Sequence, residues 1–207
     1  MKKVSLSLIA ILYCSLTYAQ TRRDLNIKFM LRGHIYAHSS MEDTLAVGGF
    51  GSSDNLPKKL NSTLDFIETG LFLKIDTTKV ISFAKKFNGY NFYIVNKTDS
   101  VVKLEASDSR LNVIAEAYLD KKWQPIEFLP SSWCGNSYHN VYLRNEEYWE
   151  FKVPKFDGRI STRIRYRLMI GKDKYLYSNE IMGKINRKQL TNKQGHIPDG
   201  IMDPYND

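Results

Sequence analysis

The sequence predicts an all-β protein, an antiparallel β-sandwich, and three observations carry that prediction. From Tyr90 onward, short runs rich in β-branched and aromatic residues recur with turn residues between them, at the spacing of sandwich strands. Within the runs apolar and polar residues alternate, the period of a half-buried strand. No helical pattern separates the runs, which argues against a parallel sheet with helical crossovers.

The elements follow in chain order. Lys2 and Lys3, the apolar run 4–12, and Thr17-Tyr18-Ala19 before Gln20 have the layout of a cleaved secretory signal over residues 1–19. The rival reading, a lipid anchor at Cys14, places Tyr13 where a small residue is wanted and fits less well. Cleavage removes Lys2 and Lys3 and lowers the formal charge from +8 to +6. That excess still favours anionic surroundings. No later run is apolar enough to cross a membrane as a helix. The expected location is the periplasm, the cell surface or outside the cell.

After that cleavage Cys134 is the sole cysteine, so an internal disulfide is excluded and stability has to come from a hydrophobic core.

Residues 20–88 read as an N-terminal extension of mixed strand and loop. Ile27, Phe29 and Leu31 alternate with Lys28, Met30 and Arg32, a strand pattern. Residues 39–62 are loop text around the run GGFGSSDN, which lacks the Gly-Lys-Ser/Thr of a phosphate cradle. Residues 64–75 hold two apolar runs split by Glu68-Thr69-Gly70, the pattern of a hairpin or a strand pair. Over 76–89 two readings stay open. One is a short helix capped by Asp76 or Thr77, with Val80, Ile81, Phe83, Ala84 and Phe87 on one face and Asn88-Gly89 as its stop. The other is a strand, favoured by the β-branched Thr77, Thr78, Val80 and Ile81.

Residues 89–186 form the expected sandwich, with strand runs at 91–96, 101–106, 111–119, 123–128, 139–143, 147–153, 160–170 and 174–181. Alternation places Leu111, Val113, Ala115, Ala117 and Leu119 on one face, and Trp149, Phe151 and Val153 on another. Ile164, Tyr166, Leu168 and Ile170 face inward while Arg163, Arg165 and Arg167 face out. Gly171-Lys172-Asp173 reads as a tight hairpin. Residues 187–207 read as a polar C-terminal tail without strand pattern.

The arginine row leads the candidate sites. Arg163, Arg165 and Arg167, with Arg159 nearby, align guanidinium groups able to meet phosphates or carboxylates bidentately, with Tyr142, Tyr148, Tyr175 and Tyr177 on neighbouring strands. The competing reading is a solvated face paired with Glu146, Glu147 and Glu150. A second candidate is the 133–139 loop, where Trp133 and Tyr138 offer contact surface. There Cys134 and His139, with Asn136 as orienter, have the residue types of a thiol nucleophile and its base. Packing is the preferred reading of that pair, and no catalytic residue is assigned.

The remaining motifs are weaker. His34 and His38 have the spacing of a helix face on a predicted strand, so no metal site is expected. Asp199, Asp203, Asp207 and Asn206 lack the ordered spacing of a calcium loop. Asn61-Ser62-Thr63 and Asn96-Lys97-Thr98 match the glycosylation sequon. No cofactor is implied.

Residues 90–186, with SSWCGNSYH, EEYWEFKVP, DGRISTRIRYRL and YSNEIMGKIN, resemble the immunoglobulin-like sandwich modules of exported Bacteroidota proteins. The resemblance implies an immunoglobulin-like β-sandwich and carries no catalytic residue with it. Cys134 has no second cysteine to pair with, unlike immunoglobulin domains proper. The expectation is an exported, non-enzymatic binding or structural module of the cell envelope. It would bind through Arg163, Arg165 and Arg167 or through Trp133 and Tyr138. The expected partner is an unknown protein or an anionic envelope glycan, not nucleic acid. The alternatives are a thiol-dependent enzyme at Cys134 and His139, and a proteinase inhibitor presenting loop 48–59 or 129–139.

Overall fold

A computed structural model describes residues 22–130, apart from 63 and 65, and residues 135–195. The expected signal over 1–19, Cys14, Trp133, Cys134 and the tail aspartates Asp199, Asp203 and Asp207 lie outside the described residues.

The first strands are β1 (Leu25–Asn26), β2 (Met30–Arg32) and β3 (Lys58–Lys59). The long pair β4 (Gly70–Phe83) and β5 (Phe87–Lys97) follows. Next come β6 (Val102–Ser107), β7 (Arg110–Leu111), β8 (Val113–Leu119), β9 (Lys122–Pro125) and β10 (Glu127–Phe128). Then follow β11 (Tyr138–Leu143), β12 (Glu147–Pro154), β13 (Phe156–Asp157) and β14 (Ile160–Gly171). The last are β15 (Lys174–Tyr177), β16 (Ile181–Ile185) and β17 (Gln194–Gly195).

The fold is all-β. One sheet has the order β3-β12-β5-β4 and another β15-β14-β8-β9, with β16 also on β14; a third is β11-β6-β7. Pairing within these three is antiparallel. The two larger sheets pack face to face. Phe92 of β5 meets Tyr166 of β14 at 4.9 Å between ring centroids. Around them lie Trp149, Phe151 and Val153 of β12, Val113, Ala115 and Ala117 of β8, and Ile164 and Leu168 of β14. These are the inward residues of the sequence alternation, and each large one contributes about 1.5–3 kcal/mol on burial. Leu25, Ile27, Leu31, Ile35 and Ala37 join the same cluster. Leu25 and Leu31 are carried by strands that attach in parallel, β1 on β13 and β2 between β10 and β17.

Turn chemistry fixes the hairpins. Asp108-Ser109 between β6 and β7, and Asp120-Lys121 between β8 and β9, are two-residue loops with φ of 48° and 63°, and 52° and 62°. Positive φ at both central positions is the type I′ turn that matches strand twist, and aspartate tolerates the left-handed region. The hairpin expected at Gly171-Lys172-Asp173 joins β14 to β15.

Three expectations are corrected. The helix over 76–89 does not form: this stretch is the second half of β4, its turn and the start of β5. Backbone pairing with β5 suits the β-branched residues, and Asp76 Oδ1 accepts from Thr78 N and Oγ1 at 2.9 and 2.7 Å, shaping the irregularity between Asp76 and Ile81. Gly89 stops no helix. It lies inside β5, where an added Cβ would come within 2.4 Å of the Val153 carbonyl oxygen. Among the described residues helical turns occur only as 3₁₀ segments, Gly135–Ser137 and Arg187–Leu190.

The hairpin expected over 64–75 is half right. β4 begins at Gly70, while Leu60, Leu64 and Phe66 lie over the outer face of the first sheet and cover Tyr93, Val95 and Tyr148. The polar tail docks at its start. Asn186 Nδ2 donates to the Ile27 carbonyl at 2.8 Å, and Gln194 and Gly195 pair with Met30 and Leu31.

Candidate functional site

The arginine row lies on the outer face of β14, as alternation requires. Register sets Arg165 directly opposite Glu116 of β8, and Tyr118 of β8 opposite Trp123 of β9. Arg165 Nε and Nη2 reach Glu116 Oε2 at 3.0 and 2.9 Å, and Arg167 Nη1 reaches Oε1 at 2.9 Å. Arg163 Nη1 reaches Glu180 Oε2 at 2.8 Å.

Aromatic rings interleave with these cations. Arg165 lies between Trp123 and Tyr177, 4.1 and 3.8 Å from the ring centroids. Arg163 lies over Tyr118 at 4.2 Å and Arg167 over Tyr175 at 4.8 Å. The result is a ladder of alternating guanidinium groups and rings, each contact worth about 0.5–2 kcal/mol. The Arg165 side chain is 17% exposed, whereas Tyr177 keeps 45% and neighbouring Met182 68% of its surface. The face is therefore rigid at its centre and accessible along its rim.

This placement revises the sequence reading of the row. Its acids are Glu116 and Glu180. Glu150 and Glu147 lie on β12 and pair with Lys58 at 2.5 Å and Lys59 at 3.2 Å. Tyr175 and Tyr177 stand beside the arginines, whereas Tyr142 and Tyr148 belong to β11 and β12. Trp123 and Tyr118 were missed: the two-residue turn at Asp120-Lys121 sets them opposite each other, but only the register of β8 against β14 brings them to Arg163 and Arg165.

Compared with known proteins, the chain matches no family model, no curated protein and no solved structure. The functional reading rests on this geometry.

The second candidate region lies on another sheet. Tyr138 begins β11 and is 54% exposed. His139 is 6% exposed and stacks on Phe50 with centroids 3.7 Å apart and planes 8° from parallel. Its Nδ1 lies 3.2 Å from the Ser137 carbonyl. Stacking and that contact fix the ring in place. The glycine-rich segment supplying Phe50 is itself tied down. Gly51 N donates to Asp108 Oδ1 at 2.8 Å, Ser109 Oγ donates to the Gly51 carbonyl at 2.9 Å, and Asn55 Nδ2 reaches the carbonyls of Tyr36 and Glu150 at 3.2 Å. A segment held by so many body contacts is not presented as a free-standing loop.

Two other motifs find structural employment. Asn96 of the second sequon is fully buried, with Nδ2 donating to the carbonyls of Ser100 and Leu143 at 2.8 and 2.9 Å. His38 accepts the Trp149 indole N–H on its carbonyl at 2.8 Å. His34 instead faces a buried acid that the sequence did not single out. Its Nδ1 lies 3.9 Å from Oε1 of Glu127, a fully enclosed residue whose Oε2 accepts the Ala115 N–H at 3.0 Å. Burial pushes Glu127 up to about 8 and His34 down to about 4, so this pair is uncharged near pH 7.

Proposed function

We infer that the chain is an exported binding module of the cell envelope, recognising an acidic protein partner through the outer face of β8, β9, β14 and β15. The observation that carries this reading is the ladder itself. Arg, Tyr, Trp and Met are the residues enriched at protein interfaces and at their energetic hot spots. Here three arginines, three tyrosines and a tryptophan share one sheet face, with Met182 at its edge. Stacking and ion pairing hold these side chains before any partner arrives, which lowers the entropy cost of association. Two guanidinium groups share the single Glu116 carboxylate, leaving positive charge for an acidic partner.

The test is affinity capture from envelope extracts with mature protein, comparing wild type with Tyr177→Ala, Arg163→Glu and a Lys79→Glu control, an exposed residue on the other large sheet. A protein retained by wild type and the control, and lost with both ladder variants and at high salt, supports the reading. Retention unchanged by the ladder variants overturns it. Elution by a soluble acidic glycan, with no protein retained, transfers the face to a glycan ligand.

A further inference from the structure

A second basic feature lies away from the ladder, where the N-terminal run meets the segment after β16. A cleft of about 360 Å³ is lined by Lys28, Arg159, Ile160, Asn186, Arg187 and Lys188. Four of the six are cations, and they come from three separate stretches of chain. Lys28 precedes β2, Arg159 sits in the turn before β14, and Arg187 and Lys188 open the 3₁₀ segment Arg187–Leu190. Among the described residues none of the four makes an ion pair. Asp157, two residues before Arg159, is engaged by Asn26 Nδ2 at 3.1 Å.

The fold brings the segments carrying these residues to one cleft. Asn186 anchors the cleft wall by donating from Nδ2 to Asn26 Oδ1 and to the Ile27 carbonyl, both at 2.8 Å. This locks the segment carrying Arg187 and Lys188 beside the residue preceding Lys28. Gly158 permits the approach on the other side, since an added Cβ would sit 2.2 Å from the Ile185 carbonyl carbon. All four cations are exposed at the cleft, free to turn toward an anion seated in it. A multiply charged anion can meet several of them at once, and guanidinium groups match the oxygens of a phosphoryl group in geometry.

We propose that this cleft binds a ligand bearing a phosphomonoester or diphosphate group. One carboxylate would leave most of the four charges unmatched, whereas a phosphoryl group carries nearly two negative charges at neutral pH. The volume exceeds that of a single phosphate and accommodates the atoms attached to it. Ile160 and the aliphatic stems of the lysines and arginines supply an apolar wall for them. The chemistry is shared by free phosphorylated molecules and by lipid headgroups of the phosphatidic acid kind.

The experiment titrates the protein with pyrophosphate by calorimetry, and separately sediments it with phosphatidylcholine vesicles made with and without phosphatidic acid. Arg159→Ala, Arg187→Ala and the pair Arg187→Ala with Lys188→Ala are compared with Lys79→Ala, an exposed lysine of β4 outside both basic sites. Each exposed cleft residue replaced should weaken pyrophosphate binding about tenfold, as expected for one lost charge-assisted contact, and Lys79→Ala should leave it unchanged. Cleft-dependent binding of pyrophosphate alone identifies a soluble ligand, and cleft-dependent sedimentation with phosphatidic acid identifies a headgroup; either supports the site. Absence of both, or binding that the cleft variants reduce no more than Lys79→Ala does, overturns it.

Discussion

Arg165 and Glu116 stand directly opposite one another on β14 and β8, with two guanidinium nitrogens on one carboxylate oxygen. The other oxygen takes Arg167, so a single acid, almost sealed from solvent, holds two cations in place under the aromatic rings. Glu116→Gln keeps the volume and removes the charge that both cations need. The expected loss is about 2–4 kcal/mol in chemical denaturation. Glu180→Gln breaks the exposed pair with Arg163 and should cost under about 1 kcal/mol. Equal losses from the two variants would show that Glu116 does not anchor the ladder.

Glu127 and His34 set a pH dependence with a defined sign. Glu127 titrates higher in the folded protein, about 8, than its ordinary 4.5, so its contribution to stability is present at low pH and is lost as pH rises through that window. His34 is held down to about 4 by burial, which the carbonyls of Lys152 and Arg32 only partly oppose, so its contribution is lost as pH falls from 6.5 toward 4. Between about pH 4.5 and 6.5 the two slopes cancel, and a net fall of up to about 1.4 kcal/mol per pH unit remains from 6.5 to 8. Denaturation of Glu127→Gln across pH 5–9 should show that fall removed. Parallel curves for variant and wild type would refute it.

The fold was legible where a residue's environment follows from strand period alone. Ile164, Tyr166 and Leu168 are buried because alternate residues share a face, whereas Ile114 and Glu116 of β8 are buried along with Val113, Ala115 and Ala117. Asp120-Lys121 is a turn because its backbone demands positive φ. The stretch 76–89 was ambiguous because a single pass of β-branched and aromatic residues satisfies both periods, and the partner strand β5 decides between them. Sites made by distant segments left no local trace. Lys28 and Arg187 share a cleft, and His34 and Glu127 share a buried pocket, only because β2 inserts between β10 and β17. The arginine row was visible in sequence, but the pairing of two of its members with Glu116 required the register of β8 against β14.

Asp43 fastens the glycine-rich segment to the edge of β11. Its carboxylate accepts the Asn140 backbone and side-chain N–H groups at 2.7 and 2.9 Å and faces the Tyr142 hydroxyl at 3.4 Å. Partial desolvation opposes ionisation, yet these donors, with the Leu45 amide, hold the carboxyl below its ordinary value. A depressed carboxyl contributes stability above its unfolded value near pH 4 that is lost as the folded group protonates. Asp43→Ala should speed hydrogen exchange at the Asn140 amide at pH 6 and expose residues 44–53 to protease, with about 1 kcal/mol lost globally. Wild type should show the same loss of Asn140 protection in acid. Unchanged exchange in the variant would mean that other contacts hold the segment.

Asn179 closes the edge of β4 by imitating a strand. Its Oδ1 accepts the Ile75 N–H at 2.7 Å and its Nδ2 donates to the Ile75 carbonyl at 3.0 Å, beside a parallel bridge between Leu73 and Ser178. Both backbone groups of Ile75 would otherwise face outward from an edge strand, and such edges recruit strands of other molecules. Asn179→Ala should cost about 1–2 kcal/mol and introduce concentration-dependent association. Asn179→Asp keeps the acceptor for the N–H but sets a carboxylate oxygen against the Ile75 carbonyl, so it should cost at least as much as the alanine variant. Denaturation curves give the first quantity and light scattering across protein concentration the second. An alanine variant as stable and as dispersed as wild type would show that the Leu73–Ser178 bridge alone guards this edge.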